Sequence, residues 1–94
     1  MTTVRIDVAA RVGEGPGPMS RAEARVLAAV IPVTGRVELD FAGVDWIGPS
    51  FADELFRVFA NVHHDVLLAP VNMTEAVANM VRRAEANRTK GEPR

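Results

Sequence analysis

An α/β fold, built on a largely parallel mixed sheet of about four strands with three main helices, is what this sequence predicts. Two observations carry the prediction. Segments of period-two hydrophobicity alternate along the chain with segments of helical period. Each of three helical segments is also preceded by a side chain suited to capping, with an acid three residues further on.

The elements follow in order. Val4, Ile6, Val8, Ala10 and Val12 alternate with Arg5, Asp7, Ala9 and Arg11, which reads as a half-buried strand at a sheet edge. Gly13-Glu14-Gly15-Pro16-Gly17-Pro18 is a turn or loop by composition. It lacks the Gly-Lys-Ser/Thr ending of a phosphate-cradling loop. The loop near Pro18 and Met19 is expected to add an antiparallel edge pair with the first strand. Ser20 with Glu23, Ser50 with Asp53, and Asn72 with Glu75 are the three capping pairs. The first helix presents Ala24, Leu27, Ala28 and Ile31 and is expected to stop near Pro32. The second presents Phe51, Leu55, Phe59 and Val62, widened by Phe56; the third presents Met73, Val77, Met80, Val81 and Ala84. Between them, Val37, Leu39 and Phe41 alternate with Glu38 and Asp40. Val66 to Val71 is apolar on both faces, as an interior strand would be, and Pro70 is read as its end. From Asn87 the chain turns polar, so one domain over 1–86 and a flexible tail over 87–94 are expected.

Composition narrows the function. In 94 residues, 48% hydrophobic and 24% charged, there is room for one domain and one core. The absence of cysteine removes disulfides, thiolate metal sites and cysteine nucleophiles. Met1 to Asp7 shows no charged-then-apolar signal pattern, and no apolar run is long enough to span a bilayer, so a cytoplasmic protein without a membrane partner is expected. Net charge is −1, distributed as +2 over residues 1–36, −5 over 37–65 and +2 over 66–94. An acidic middle third is the wrong sign for a nucleic-acid partner.

The run Leu39-Asp40-Phe41-Ala42-Gly43-Val44, continuing through Ile47-Gly48 to Phe51-Ala52-Asp53-Glu54-Leu55-Phe56-Arg57-Val58-Phe59, resembles the bacterial STAS-like family of unknown function. So do Ser20-Arg21-Ala22-Glu23-Ala24 and Asn72 with Val77 to Ala84. The resemblance covers roughly residues 18–84 and implies a single STAS-like domain. Through the wider superfamily the chain is similar to anti-sigma factor antagonists. Those switch partners when a serine at the start of this second helix is phosphorylated by a histidine-kinase-type ATPase. Gly48-Pro49-Ser50-Phe51 stands here where the antagonists carry Asp-Ser-Ser-Gly.

The residues themselves make Ser50 a helix cap, and the resemblance makes it the candidate phosphoacceptor, although Asp53 and Glu54 in the same turn would oppose a phosphate. Asp53, Glu54 and Arg57 lie on the polar side of the second helix at ion-pairing spacing. With Asp45, Ser50 and Asn61 they form the expected partner-binding surface: loop 45–50 plus the polar face of helix 50–64. No nucleophile or poised histidine shares that motif, so catalysis is not expected. His63-His64-Asp65 is the one cluster of metal-ligand types, but adjacent helical residues diverge and do not converge on one ion; no metal and no cofactor are expected. Trp46 reads as a core or rim aromatic. The expected function is a non-catalytic signalling module that binds a protein, on the resemblance an ATPase of the histidine-kinase type or an anti-sigma-like protein. The alternative is a small-ligand or nucleotide sensor, since ligands commonly sit at the carboxyl ends of parallel strands.

Overall fold

The computed structural model describes residues 3–12 and 17–91. Most of the expected glycine- and proline-rich loop (13–16) and the end of the expected tail (92–94) lie outside them. The elements run β1 (Thr3–Asp7), α1 (Val8–Val12), α2 (Arg21–Ala28), β2 (Gly35–Asp40), α3 (49–62), β3 (Val66–Val71) and α4 (Glu75–Gly91).

The described residues contain three strands rather than four, all parallel, in the order β1-β2-β3. Ile6 lies beside Leu39, and Leu39 beside Pro70. Alternation therefore puts Ile6, Val37 and Leu39 on one face, where each is buried, and Arg5, Glu38 and Asp40 on the other. Ala24 and Leu27 of α2, Phe51, Leu55, Phe56 and Phe59 of α3, and Val77, Val81 and Ala84 of α4 join the first set in one core. The domain thus has two layers, with its main helices on one side of the sheet.

Three expectations need correction. The first strand stops at Asp7 instead of continuing to Val12. Asp7 Oδ1 accepts from the Ala10 amide at 3.2 Å, starting a helical turn that buries Val8 and Ala9 together. The segment at Pro18 forms no strand, although Gly48 donates its amide to the Pro18 carbonyl at 2.9 Å.

The third correction concerns β3, which is an edge and not an interior strand. Proline explains it. Gly35 and Phe41 donate to the carbonyls of Asp65 and Val71, so the odd-numbered residues of β3 face β2 and the even-numbered ones face outward. Pro70 therefore sits inside the strand with its missing N–H on the free edge, where no ladder bond is lost. The apolarity of both β3 faces leaves Leu67 57% exposed. Helix α4 is described over Glu75–Gly91, so its last residues fall within the stretch read as a tail. Asn87 to Lys90 contain no proline to interrupt it.

Helix α3 is not uniform. Pro49–Asp53 and Ala60–Val62 are α-helical, while Glu54–Phe59 between them is π-helical. Each i→i+5 turn slips the side-chain phase by about one residue. This slip turns Val62, expected on the core stripe, out to 66% exposure while Phe59 remains buried.

Candidate functional site

Of the three expected capping devices, the structure keeps one. Ser20 Oγ accepts from the Glu23 amide at 3.1 Å, and the Glu23 carboxylate accepts from the amides of Ser20 and Met19 at 2.9 and 3.0 Å. Those amides, Met19's foremost, hold the Glu23 carboxyl below the usual range.

At α3 the N-cap is Gly48, with no side-chain bond, and Ser50 lies exposed inside the first turn. The cap reading of Ser50 is overturned for two reasons. Pro49 is pre-set for the first helical position, so the helix starts one residue earlier than Ser50 would start it. Position 48 must also be glycine, because a Cβ there would stand 2.7 Å from the Met19 carbonyl oxygen and 2.8 Å from its Cα. At α4 the cap is Thr74, whose Oγ1 accepts from the Val77 amide at 3.1 Å and donates to the Asp45 carbonyl at 2.8 Å. Asn72 instead adopts φ 56 and donates from Nδ2 to Asp40 Oδ1 at 3.0 Å. Asparagine tolerates that left-handed conformation better than most residues. Its bond, helped by the Ala42 amide, holds the Asp40 carboxyl low. Asp40 thereby ties together the ends of β2 and β3.

The polar face of α3 is occupied from two sides. Arg57 grips Asp53 in a bidentate pair, Nε to Oδ1 at 2.5 Å and Nη2 to Oδ2 at 2.8 Å. From α2, Arg21 Nη1 reaches Asp53 Oδ2 at 2.7 Å and Glu54 Oε1 at 3.4 Å, and Arg25 Nε lies 3.6 Å from Glu54 Oε2. The acids sit beneath the bases: Asp53 and Glu54 side chains are 17% and 13% exposed, while Arg21 and Arg25 are 42% and 66% exposed. Foremost the Arg57 bond, then Arg21, takes the Asp53 carboxyl down to about 2 against the cost of its burial. The same carboxylate raises both Arg57 and Arg21.

Of the expected surface, then, Asp53, Glu54 and Arg57 come together with each other. Asp45 and Ser50 are exposed on the approach to α3, and Asn61 is half-buried near its end. Arg21 and Arg25 were missed as site residues. Their i,i+4 spacing on the first helix, opposite an acid pair on the second, was the available signal. Trp46 is half-buried, and its carbonyl lies so close to Gly17 (φ 98) that a Cβ there would overlap it.

A groove of about 630 Å³ opens at the opposite end of the domain, floored by Phe56, Ala60 and Leu68 and rimmed by Arg36 and His64. It lies at the amino ends of β2 and β3, where Gly35 and Val66 begin their strands. The His63 ring is tilted against Phe59, centroids 4.4 Å apart. Among the described residues no three His, Cys, Asp or Glu side chains converge as metal ligands. No helix among them is long and apolar enough to cross a membrane.

The family model for the STAS-like domain of unknown function (DUF4325) matches residues 25–78, from the middle of α2 into α4. That is more than half of the chain, and the chain belongs to this family. No curated protein and no solved structure matches it.

Proposed function

We propose that this STAS-like domain is a regulatory protein–protein interaction module that performs no chemistry of its own. Its contact surface is loop 45–50 with the first turn of α3, bordered by the guanidinium edges of Arg21 and Arg57. The ion-pair cluster carries the reading. The two carboxylates that the sequence offers for acid–base work are engaged in salt links, Asp53 with Arg57 and Arg21 and Glu54 with Arg21 and Arg25, and Asp53 is held ionised. What remains outward at this end is an exposed serine, an exposed aspartate and fixed donors, a pattern suited to recognition. The likeness to anti-sigma factor antagonists makes the partner a histidine-kinase-type ATPase or an anti-sigma-like protein, and makes Ser50 the candidate phosphoacceptor.

The test is co-purification of the full chain from its native host, followed by titration of the purified partner. Ser50→Arg places bulk on an exposed position and leaves the ion pairs alone, so it is expected to weaken binding at least tenfold at an unchanged melting temperature. Equal affinity of the variant would remove loop 45–50 from the contact. Turnover of a small substrate, lost on Asp53→Asn, would overturn the non-catalytic reading.

A further inference from the structure

Helix α2 carries a second apolar face. Ala24 and Leu27 point into the core. On the opposite side Ala22, Val26, Ala29 and Val30 follow one another at helical spacing, and all four are exposed. Val26 is 64%, Val30 41%, Val33 51% and Met19 51% exposed. These four account for more than half of the large exposed hydrophobics among the described residues. The stripe continues past the last turn, where Val30 and Ile31 donate to the carbonyls of Leu27 and Ala28 at 3.0 and 3.1 Å.

Charge along this face has one sign. Arg21 and Arg25 line the stripe on the α3 side, held in place by carboxylates that lie beneath them. The one acid on α2, Glu23, is folded back onto the amides of Met19 and Ser20. Arg21 uses only Nη1 in its bonds to Asp53 and Glu54, which leaves Nε and Nη2 of its donor fork for an incoming acceptor. Guanidiniums already positioned by half-buried carboxylates lose little freedom on binding.

We infer that the outer face of α2 is a docking surface for an amphipathic protein helix whose apolar stripe is edged by carboxylates, with Val26 and Val30 as apolar contacts and Arg21 and Arg25 as the charge-reading edge. This rests on reading the domain as an interaction module, and it adds a surface distinct from loop 45–50. Ala22, Val26, Ala29 and Val30 recur at i, i+4, i+7 and i+8, the spacing of an apolar stripe against which a second amphipathic helix can pack. A second copy of the chain fits less well, since two such faces would bring arginine edges together. A lipid surface also fits less well. Interfacial helices insert bulky Trp, Phe or Leu, and this stripe offers valine, alanine and one methionine.

The probe is a synthetic helical peptide with a leucine stripe and glutamates along one edge, beside a twin in which lysine replaces every glutamate. Binding is followed by amide NMR shifts on the full chain. The acidic peptide is expected to bind at least tenfold more tightly than its twin and to shift residues 19–34. Val26→Ser with Val30→Ser, and separately Arg25→Gln, are expected to weaken it at least fivefold without lowering the melting temperature. Equal binding of both peptides, or no binding of either, overturns the inference. Shifts confined to loop 45–50 overturn it too, but leave the interaction-module reading standing. Self-association through Val26, seen by sedimentation, would reassign the face to a second copy. Binding to phosphatidylglycerol vesicles that Val26→Ser abolishes would reassign it to a membrane.

Discussion

Asp53→Asn tests the cluster that joins α2 to α3, and its cost can be worked from the structure. An aspartate in an unfolded chain titrates near about 3.9, and Asp53 in the fold titrates at about 2. Roughly two units of difference correspond to about 2.5 kcal/mol of stabilisation. Arg57 and Arg21 are 36% and 42% exposed, so solvent screening brings the expected figure down to about 1–1.5 kcal/mol. Because the folded value is the depressed one, this contribution is complete above about pH 5 and is lost as pH falls through about 4 to 2. The asparagine variant titrates nothing at this position. Thermal unfolding at pH 7 should therefore show it melting roughly 5–10 °C below the parent domain. The gap should narrow as both are taken from pH 5 to pH 2. Glu23 and Asp40 also have lowered values, but they are present in both proteins and cancel in the difference. A gap under about 0.3 kcal/mol at pH 7, or one that does not change with pH, would refute the cluster as a stabilising device.

The remaining predictions concern α3. Phe59→Ala should cost about 3 kcal/mol in chemical denaturation, since its ring is 9% exposed and truncation leaves a cavity beside Phe56 and Leu55; a cost under 1 kcal/mol would mean the π-helical phase is wrong. Ser50→Ala should change stability by less than about 0.5 kcal/mol, because the hydroxyl caps nothing; a loss near 1 kcal/mol would restore the cap reading. Gly48→Ala should cost about 2 kcal/mol or more, since its methyl meets backbone that cannot rotate away, and a neutral result would show the 17–19 loop to be loosely placed.

How much of this was legible in the sequence depended on the length scale of the signal. Strand β2, the core stripe of α2 and most of that of α3 were readable because burial imposes their period directly. The Ser20–Glu23 cap was readable because both partners lie within one turn. Ser50 and Asn72 carried the same local pattern and failed. Each was displaced by a non-local or backbone constraint: Gly48 pressed against Met19 in one case, and Asn72 held at φ 56 by Asp40 in the other. The edge position of β3 was encoded at Pro70, but only the strand order shows that its missing donor faces outward. The π-helical stretch had no mark in the residues, and it alone moved Val62 off the core. At the site, the Asp53–Arg57 spacing announced one ion pair, while the arginines of α2 belong to another element and could be placed only by the fold.

That last displacement reverses a charge argument. Read along the chain, Asp53 and Glu54 follow Ser50 in an acidic third and oppose any negative group placed there. In the fold, Arg57 and Arg21 neutralise Asp53, and Arg25 lies beside Glu54. The local balance is three guanidiniums against two carboxylates, with the acids half-buried and the bases outward. Coulomb interactions weaken with distance and with water between the charges, so an incoming anion meets the bases first. An acidic stretch of sequence thus folds with three arginines paired to its two helical carboxylates, and the electrostatic objection that Asp53 and Glu54 raise against a phosphate or a carboxylate-edged partner near the first turn of α3 is weakened. What still separates this turn from the antagonist switch is steric and not electrostatic. Pro49 and the close contact of Gly48 with Met19 fix the backbone on one side of Ser50, and the buried Phe51 fixes the other. A modification of Ser50 would therefore act on a partner through its own charge, with no helix start free to rearrange around it.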